Sequence, residues 1–111
     1  MTLLPALAVV TRHIGLETTA STTYNAPYDI VRKFATLDLI SKGRAGWNVV
    51  ASWSELEAQN FGLETTLDYD TRYARSAEFV EVVKGLWDSW DDGALVFDKA
   101  SGRYFDEAKM N

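Results

Sequence analysis

Cysteine is absent from this sequence, which excludes disulfides and thiolate metal sites and fits a reducing compartment. Histidine occurs once, at His13, and there is no metal-ligand cluster, nucleophile triad or glycine-rich phosphate loop. The 11 Lys and Arg residues are scattered and outnumbered by 16 Asp and Glu, for a net charge of −5. Without a basic stripe to neutralise phosphates, nucleic acid is not expected as a partner. The apolar opening from Met1 to Val10 has no positive segment before it and is far too short to span a bilayer, so it reads as a buried helix and the chain as cytoplasmic, with no membrane partner. Only two prolines occur, Pro5 and Pro27, and each is compatible with the first turn of a helix.

What is present is a soluble globular composition, with 47% hydrophobic and 24% charged residues, and a length of 111 residues that allows one domain, 1–111. Thr2 to Val10 is helix-compatible. A short strand is expected near 12–18, with Ile14 and Leu16 on one face, after which the hydroxyl-rich run Glu17 to Asn25 reads as a strand end opening into a loop. Asn25 can cap a helix over 26–41 that has Pro27 in its first turn, recurs apolar at Ile30, Phe34 and Leu37, and stops at Gly43. The run Ala45 to Ser52 is apolar on both faces, as in a parallel strand covered on both sides. Ser54 and Glu57 form a capping-box pattern for a short helix ending near Gly62. A longer helix is predicted over 71–90, with Tyr73, Ala77, Val80, Lys84, Trp87 and Trp90 on one stripe that Phe79 and Val83 widen, ended by Asp91-Asp92-Gly93. Ala94 to Phe97 and Arg103 to Phe105, joined around Lys99 to Gly102, read as a hairpin. Strand, helix, strand is the pattern of a parallel crossover unit.

Three stretches carry a family resemblance: His13-Ile-Gly-Leu16 running into Thr19-Ala-Ser-Thr-Thr-Tyr24; Phe34-Ala-Thr-Leu-Asp38 running into Gly43-Arg-Ala-Gly-Trp-Asn-Val-Val50; and Arg72-Tyr73 with Glu78-Phe79 and Leu86-Trp-Asp-Ser-Trp90. Together they resemble the luciferase-like FMN-dependent monooxygenases, in the subfamily of nitrilotriacetate, dibenzothiophene-sulfone and long-chain alkane monooxygenases. The resemblance implies an α/β fold that is part of a (β/α)₈ TIM barrel, which typically needs ~250 residues. These residues would then supply about two parallel strands with their helices, near the third and fourth of the barrel, plus a C-terminal hairpin. The other strands, an acidic residue at the end of one of the first two, and the later phosphate loop would lie outside them.

In such barrels chemistry sits at the C-terminal ends of the strands and stability at the opposite end. By resemblance, Thr19, Ala20 and Ser21 lie where backbone and hydroxyls meet the flavin ring; the alternative is a hydroxyl-rich loop that satisfies its own backbone. Asn48 is an amide in an apolar strand and needs a partner, either a flavin edge or a neighbouring inward side chain. Tyr73 matches a tyrosine used near the flavin phosphate or ribityl chain. Tyr69, four residues earlier, stands where relatives commonly carry histidine, and Ala51 where threonine is common. Ser52 and Trp53 could line a pocket mouth or cap the short helix. His13, at the start of its strand, Trp47 on the helix-packing face, and Trp87 and Trp90 on the long helix read as structural, and Asp68, Asp70, Asp91 and Asp92 as helix-end charges.

The implied chemistry is oxygenation of a small organic substrate by reduced FMN and dioxygen, with a separate flavin reductase as partner and the protein binding, positioning and excluding water. The isolated chain is expected to be inactive and to bind FMN weakly or not at all. The bare strand edges are expected to be covered, by self-association or by a complementing chain that supplies the remaining parts of the barrel. A competing reading is a non-catalytic remnant or interaction module that buries its exposed strand edges by self-association.

Overall fold

The computed structural model describes all of residues 1–111. In chain order the elements are α1 (Leu4–Val10), β1 (Leu16–Ser21), α2 (Pro27–Ser41), β2 (Ala45–Val50), α3 (Glu55–Asn60), α4 (Tyr69–Trp87), β3 (Leu95–Asp98), β4 (Arg103–Phe105) and a 3-10 turn over Glu107–Lys109. β1 and β2 pair in parallel from Leu16↔Ala45 to Ser21↔Val50, without a bulge, and β3 and β4 form a separate antiparallel hairpin.

Alternation along the paired strands sorts their side chains onto two faces. Leu16, Thr18 and Ala20 lie beside Ala45, Trp47 and Val49, and the helices pack on this side. Ile30 and Phe34 of α2 meet Phe79 and Val83 of α4, with Ala20, Val31 and Trp47 against them; Ala8 of α1 meets Leu16 and Leu37, with Ala45 against them. Trp47 is the joint of the helix layer, its ring centroid 5.7 Å from Phe34, 6.0 Å from Phe79 and 6.3 Å from Trp87. Its indole N–H donates to the Ala20 carbonyl at 3.0 Å, which disposes of the one polar atom carried into that contact.

α2 starts at Pro27, whose missing N–H is no loss in a first turn, and ends where Lys42 takes a left-handed conformation (φ 60°) before Gly43. Its N-cap residue is Ala26, without a side-chain cap; the Asn25 amide instead donates to the Ser21 carbonyl at 2.8 Å, so the expected Asn25 cap is not made. Ser54 does cap α3, its hydroxyl accepting the Glu57 N–H. Asp68 caps α4 by accepting the Thr71 N–H at 3.0 Å. Contacts with the Thr71 hydroxyl and N–H hold the Asp68 carboxyl below its usual range.

Two expectations are corrected. β1 occupies 16–21 rather than 12–18, so Thr19, Ala20 and Ser21 are strand residues, and His13 and Ile14 precede the strand in an exposed bend. Arg44 explains the bend: its guanidinium takes the carbonyls of Ala8, Thr11 and Ile14 and the Thr11 hydroxyl, while its Nε–H takes the Ser41 carbonyl. With those groups converging on one cation, residues 11–15 wrap around it instead of extending. The second correction concerns α4, which runs over 69–87 and buries Phe79 and Val83, so its core stripe is centred on these two rather than on Tyr73, Val80 and Trp87. Trp90 lies beyond the helix and bridges to Met110.

Candidate functional site

The other face of the sheet carries Glu17, Thr19 and Ser21 beside Gly46, Asn48 and Val50, and none of these belongs to either core cluster. Glu17, Thr19 and Asn48 are exposed. Thr19 and Asn48 are register partners, and the Asn48 amide donates to the Thr19 hydroxyl at 3.0 Å. That leaves the Asn48 carbonyl oxygen as an open acceptor and the Thr19 hydroxyl hydrogen as an open donor, side by side on the uncovered face. The neighbouring-side-chain alternative for Asn48 is therefore the one observed, with half of the amide to spare.

At the C-terminal ends of the strands a polar network replaces this simple ladder. Ser21 and Ser52 are both buried, and the Ser52 hydroxyl donates to that of Ser21 at 2.7 Å. The Ser21 oxygen also accepts the Thr23 N–H, so its own hydrogen remains to donate. Thr22 N–H donates to the Val50 carbonyl and the Thr23 hydroxyl to the Ala51 carbonyl, extending the strand pairing past its regular end. α4 is tied here by its first turns: Arg72 donates to the Ser52 carbonyl, and Arg75 to the Thr22 carbonyl at 3.3 Å.

Those ties set Tyr69 and Tyr73 near the strand ends. The two rings lie tilted against each other with centroids 4.4 Å apart at 35°, the Arg72 guanidinium lies 6.0 Å from the Tyr69 centroid, and both tyrosines are largely exposed. Three buried polar atoms have no protein partner, and all lie in the segments after the strands or in α4's first turn: Tyr24 OH, Thr66 Oγ1 and Arg72 Nε. Trp53 is exposed next to Ser52.

Of the residues singled out from sequence, Thr19, Ser21 and Asn48 thus share one face, while Tyr69 and Tyr73 pair on α4 at the same end of the sheet. Ala20 is turned away: its side chain packs on the helix layer and its carbonyl is occupied by Trp47. Arg72 is marked in the sequence only by the family resemblance and Arg75 not even by that; their i, i+3 spacing in the first turns of α4 is the available signal. No group of three or more His, Asp or Glu residues could hold a metal ion. A surface depression lined by Arg103 to Ala108, on β4 and the 3-10 turn, includes none of these residues.

A parallel strand pair with helices on one face, an open polar face, and arginine and hydroxyl groups gathered at the C-terminal strand ends is the geometry of one sector of a β/α barrel. The profile of the luciferase-like monooxygenases matches residues 1–110, and the chain belongs to that family. It is 56% identical over 110 residues to N-acetyl-S-(2-succino)cysteine monooxygenase of Bacillus subtilis (strain 168), covering 99% of this chain and 25% of that protein. It is 59% identical over 103 residues to nitrilotriacetate monooxygenase component A of Aminobacter aminovorans, covering 93% and 23%. The crystal structure of a long-chain alkane monooxygenase superposes with a TM-score of 0.88 at 40% identity, covering 99% of this chain and 26% of that one. A riboflavin lyase crystallised with modified FMN and riboflavin gives the same TM-score, 0.88, at 40% identity, the match covering 99% of this chain and 25% of that one. The chain therefore spans about a quarter of the length of these relatives, and its fold is a segment of their TIM barrel.

Proposed function

We propose that these residues form one sector of an FMN-dependent monooxygenase, which oxygenates a small organic substrate when the rest of a barrel surrounds it. The observation that carries this reading is the open face. Its donor and acceptor at Thr19 and Asn48, with the Ser21 hydrogen beyond them, match the alternating polar groups of a flavin ring edge. The riboflavin lyase that shares the fold was crystallised with modified FMN, which supports the same ligand class.

Reduced FMN, renewed by a separate flavin reductase, would supply the oxygen-activating chemistry. The chain's own contribution is binding and orientation. Thr19, Ser21 and Asn48 would hold the ring's polar edge, and the Tyr69 and Tyr73 pair with Arg72 would meet the ribityl and phosphate end. Arg72 suits an anion, since its Nε–H is buried without a protein acceptor. Exclusion of water falls to parts of the barrel beyond these residues, because Thr19 and Asn48 are exposed.

Three or four neutral hydrogen bonds at ~0.5–1.5 kcal/mol each do not offset an association cost of ~4–15 kcal/mol unless the ring is buried as well. The 111 residues alone should therefore bind FMN weakly and turn nothing over. Titration of the purified chain, followed by flavin fluorescence, tests this: submicromolar saturable binding would show that the sector is sufficient by itself. The alternative is a non-catalytic remnant or interaction module that buries the exposed strand edges of β1 and β2 by self-association. It predicts concentration-dependent sedimentation and no flavin binding even when the remaining barrel segments are supplied.

A further inference from the structure

We propose that Trp53 is a specificity-determining residue, its indole forming a wall for a flat, apolar organic substrate at the C-terminal end of the sheet. The inference rests on the flavin-dependent reading above. Trp53 is 79% exposed, more than any other large apolar side chain of the protein. Exposure of that degree usually goes with a loose loop, but here the backbone on both sides is fixed. Ser52 is buried and takes a left-handed φ of 54°, a conformation that side chains other than glycine rarely adopt. Two contacts hold it there: its hydroxyl donates to Ser21, and its carbonyl accepts from Arg72. On the other side Ser54 caps α3 through its hydroxyl.

The left-handed residue breaks the strand's alternation, so the next side chain is carried out at the strand end instead of into the helix layer that Trp47 fills. Backbone strain held by surrounding contacts is characteristic of ligand clamps, and here it fixes the backbone position from which the indole projects. Its mount is tied through Ser21 to the strand that carries Thr19, and through Arg72 to the Tyr69 and Tyr73 pair. A large π face carried on only two side-chain torsions from a fixed backbone recognises flat apolar ligands at modest entropic cost. The flavin contacts proposed above use Thr19, Ser21, Asn48, Tyr69 and Tyr73, which leaves the indole for the second ligand.

The test uses the protein that carries these residues in a complete barrel, loaded with oxidised FMN, as wild type, Trp53→Phe and Trp53→Ala. Two probes are titrated: dibenzothiophene sulfone, flat and apolar, and nitrilotriacetate, compact and anionic. We expect Trp53→Ala to weaken sulfone binding about tenfold or more, as for a buried aromatic anchor. Trp53→Phe should keep the sulfone within about threefold, while FMN affinity stays within about twofold in all three proteins. Equal sulfone affinity in wild type and Trp53→Ala overturns the proposal, as does the absence of saturable sulfone binding to the loaded wild type. An equal loss for both probes overturns it too, since a wall for flat ligands must discriminate. Failure of the wild type to bind FMN is read before any probe is added; it removes the flavin reading and this proposal with it.

Discussion

The two faces of the β1–β2 sheet are built from the same strands and do opposite work. On the helix side, Trp47 joins α2 to α4 and satisfies its only polar atom on a neighbouring carbonyl, so little remains available to a ligand. On the other side, the Thr19 and Asn48 pair leaves a donor and an acceptor open and contributes little to packing. Packing groups and open polar groups are thus segregated by strand alternation, residue by residue. Trp47→Ala should cost about 3 kcal/mol in urea unfolding, toward the low end for an aromatic truncation because the side chain is only partly buried. Asn48→Ala should cost about 1 kcal/mol or less. Equal losses would break the distinction between the faces.

The two ends of the sheet differ in a similar way. At the N-terminal end Arg44 gathers four carbonyls from three segments, whereas at the other end Arg75 makes a single long contact with Thr22. Arg44→Met should lower stability by about 2–3 kcal/mol, since several carbonyls lose a charged donor, and Arg75→Met by about 1 kcal/mol or less. Comparable effects in chemical denaturation would remove the contrast between a structural end and a functional one.

Much of the helix-covered half was legible in the sequence. The apolar residues of α2, the Ser54 cap, the run of β2 and the hairpin follow from local periodicity and capping chemistry, which act within a few residues. Ile14 and Leu16 suggest a strand that begins too early, whereas the strand that forms is Leu-Glu-Thr-Thr-Ala-Ser. Its uncovered face is polar, so the apolar alternation that marks a half-buried strand is missing, and only the β-branched threonines remained as a signal. Arg44's long-range contacts, which bend residues 11–15, have no local signature. Nor does the left-handed Ser52, since nothing short of a glycine announces that backbone conformation. Thr19 and Ser21 are marked only by the family resemblance, whereas Asn48 is also marked by pattern, as an amide within an apolar run.

Two smaller measurements sharpen the account of the functional end. Ser52→Gly relieves the positive φ, worth about 1 kcal/mol, but loses the hydrogen bond to Ser21, worth about as much, and should come out near neutral. Ser52→Ala loses the bond and keeps the strain, so it should be less stable than the glycine variant by about 1 kcal/mol. Equal stabilities in thermal melts would show that the conformation is unstrained. The smallest effect concerns acid. The folded Asp68 carboxyl titrates below its usual 3.8, so its contribution is present above that pH and is lost as pH falls through the folded value. Asp98, lowered by Ser101 and Ala100 in the hairpin turn, acts in the same direction. In Asp68→Asn the decline of stability from about pH 4 downward should be shallower than in wild type, as read from midpoints across an acid series. An unchanged profile would mean that the cap's charge is without consequence.

The even register of β1 and β2 also has a temporal consequence. Thr19 and Asn48 stand 29 positions apart in the chain, and every other pair in the ladder keeps the same interval. No contact within this sheet is local, so the pair cannot nucleate as a turn does; it must await closure of a long loop. α2 fills most of that loop with hydrogen bonds that form within themselves, shortening the distance the strands must find by chance. The hairpin of β3 and β4 needs no such help, its strands being separated only by a tight turn. During synthesis or refolding, the segment around α2 therefore sets the pace at which the open face comes into existence.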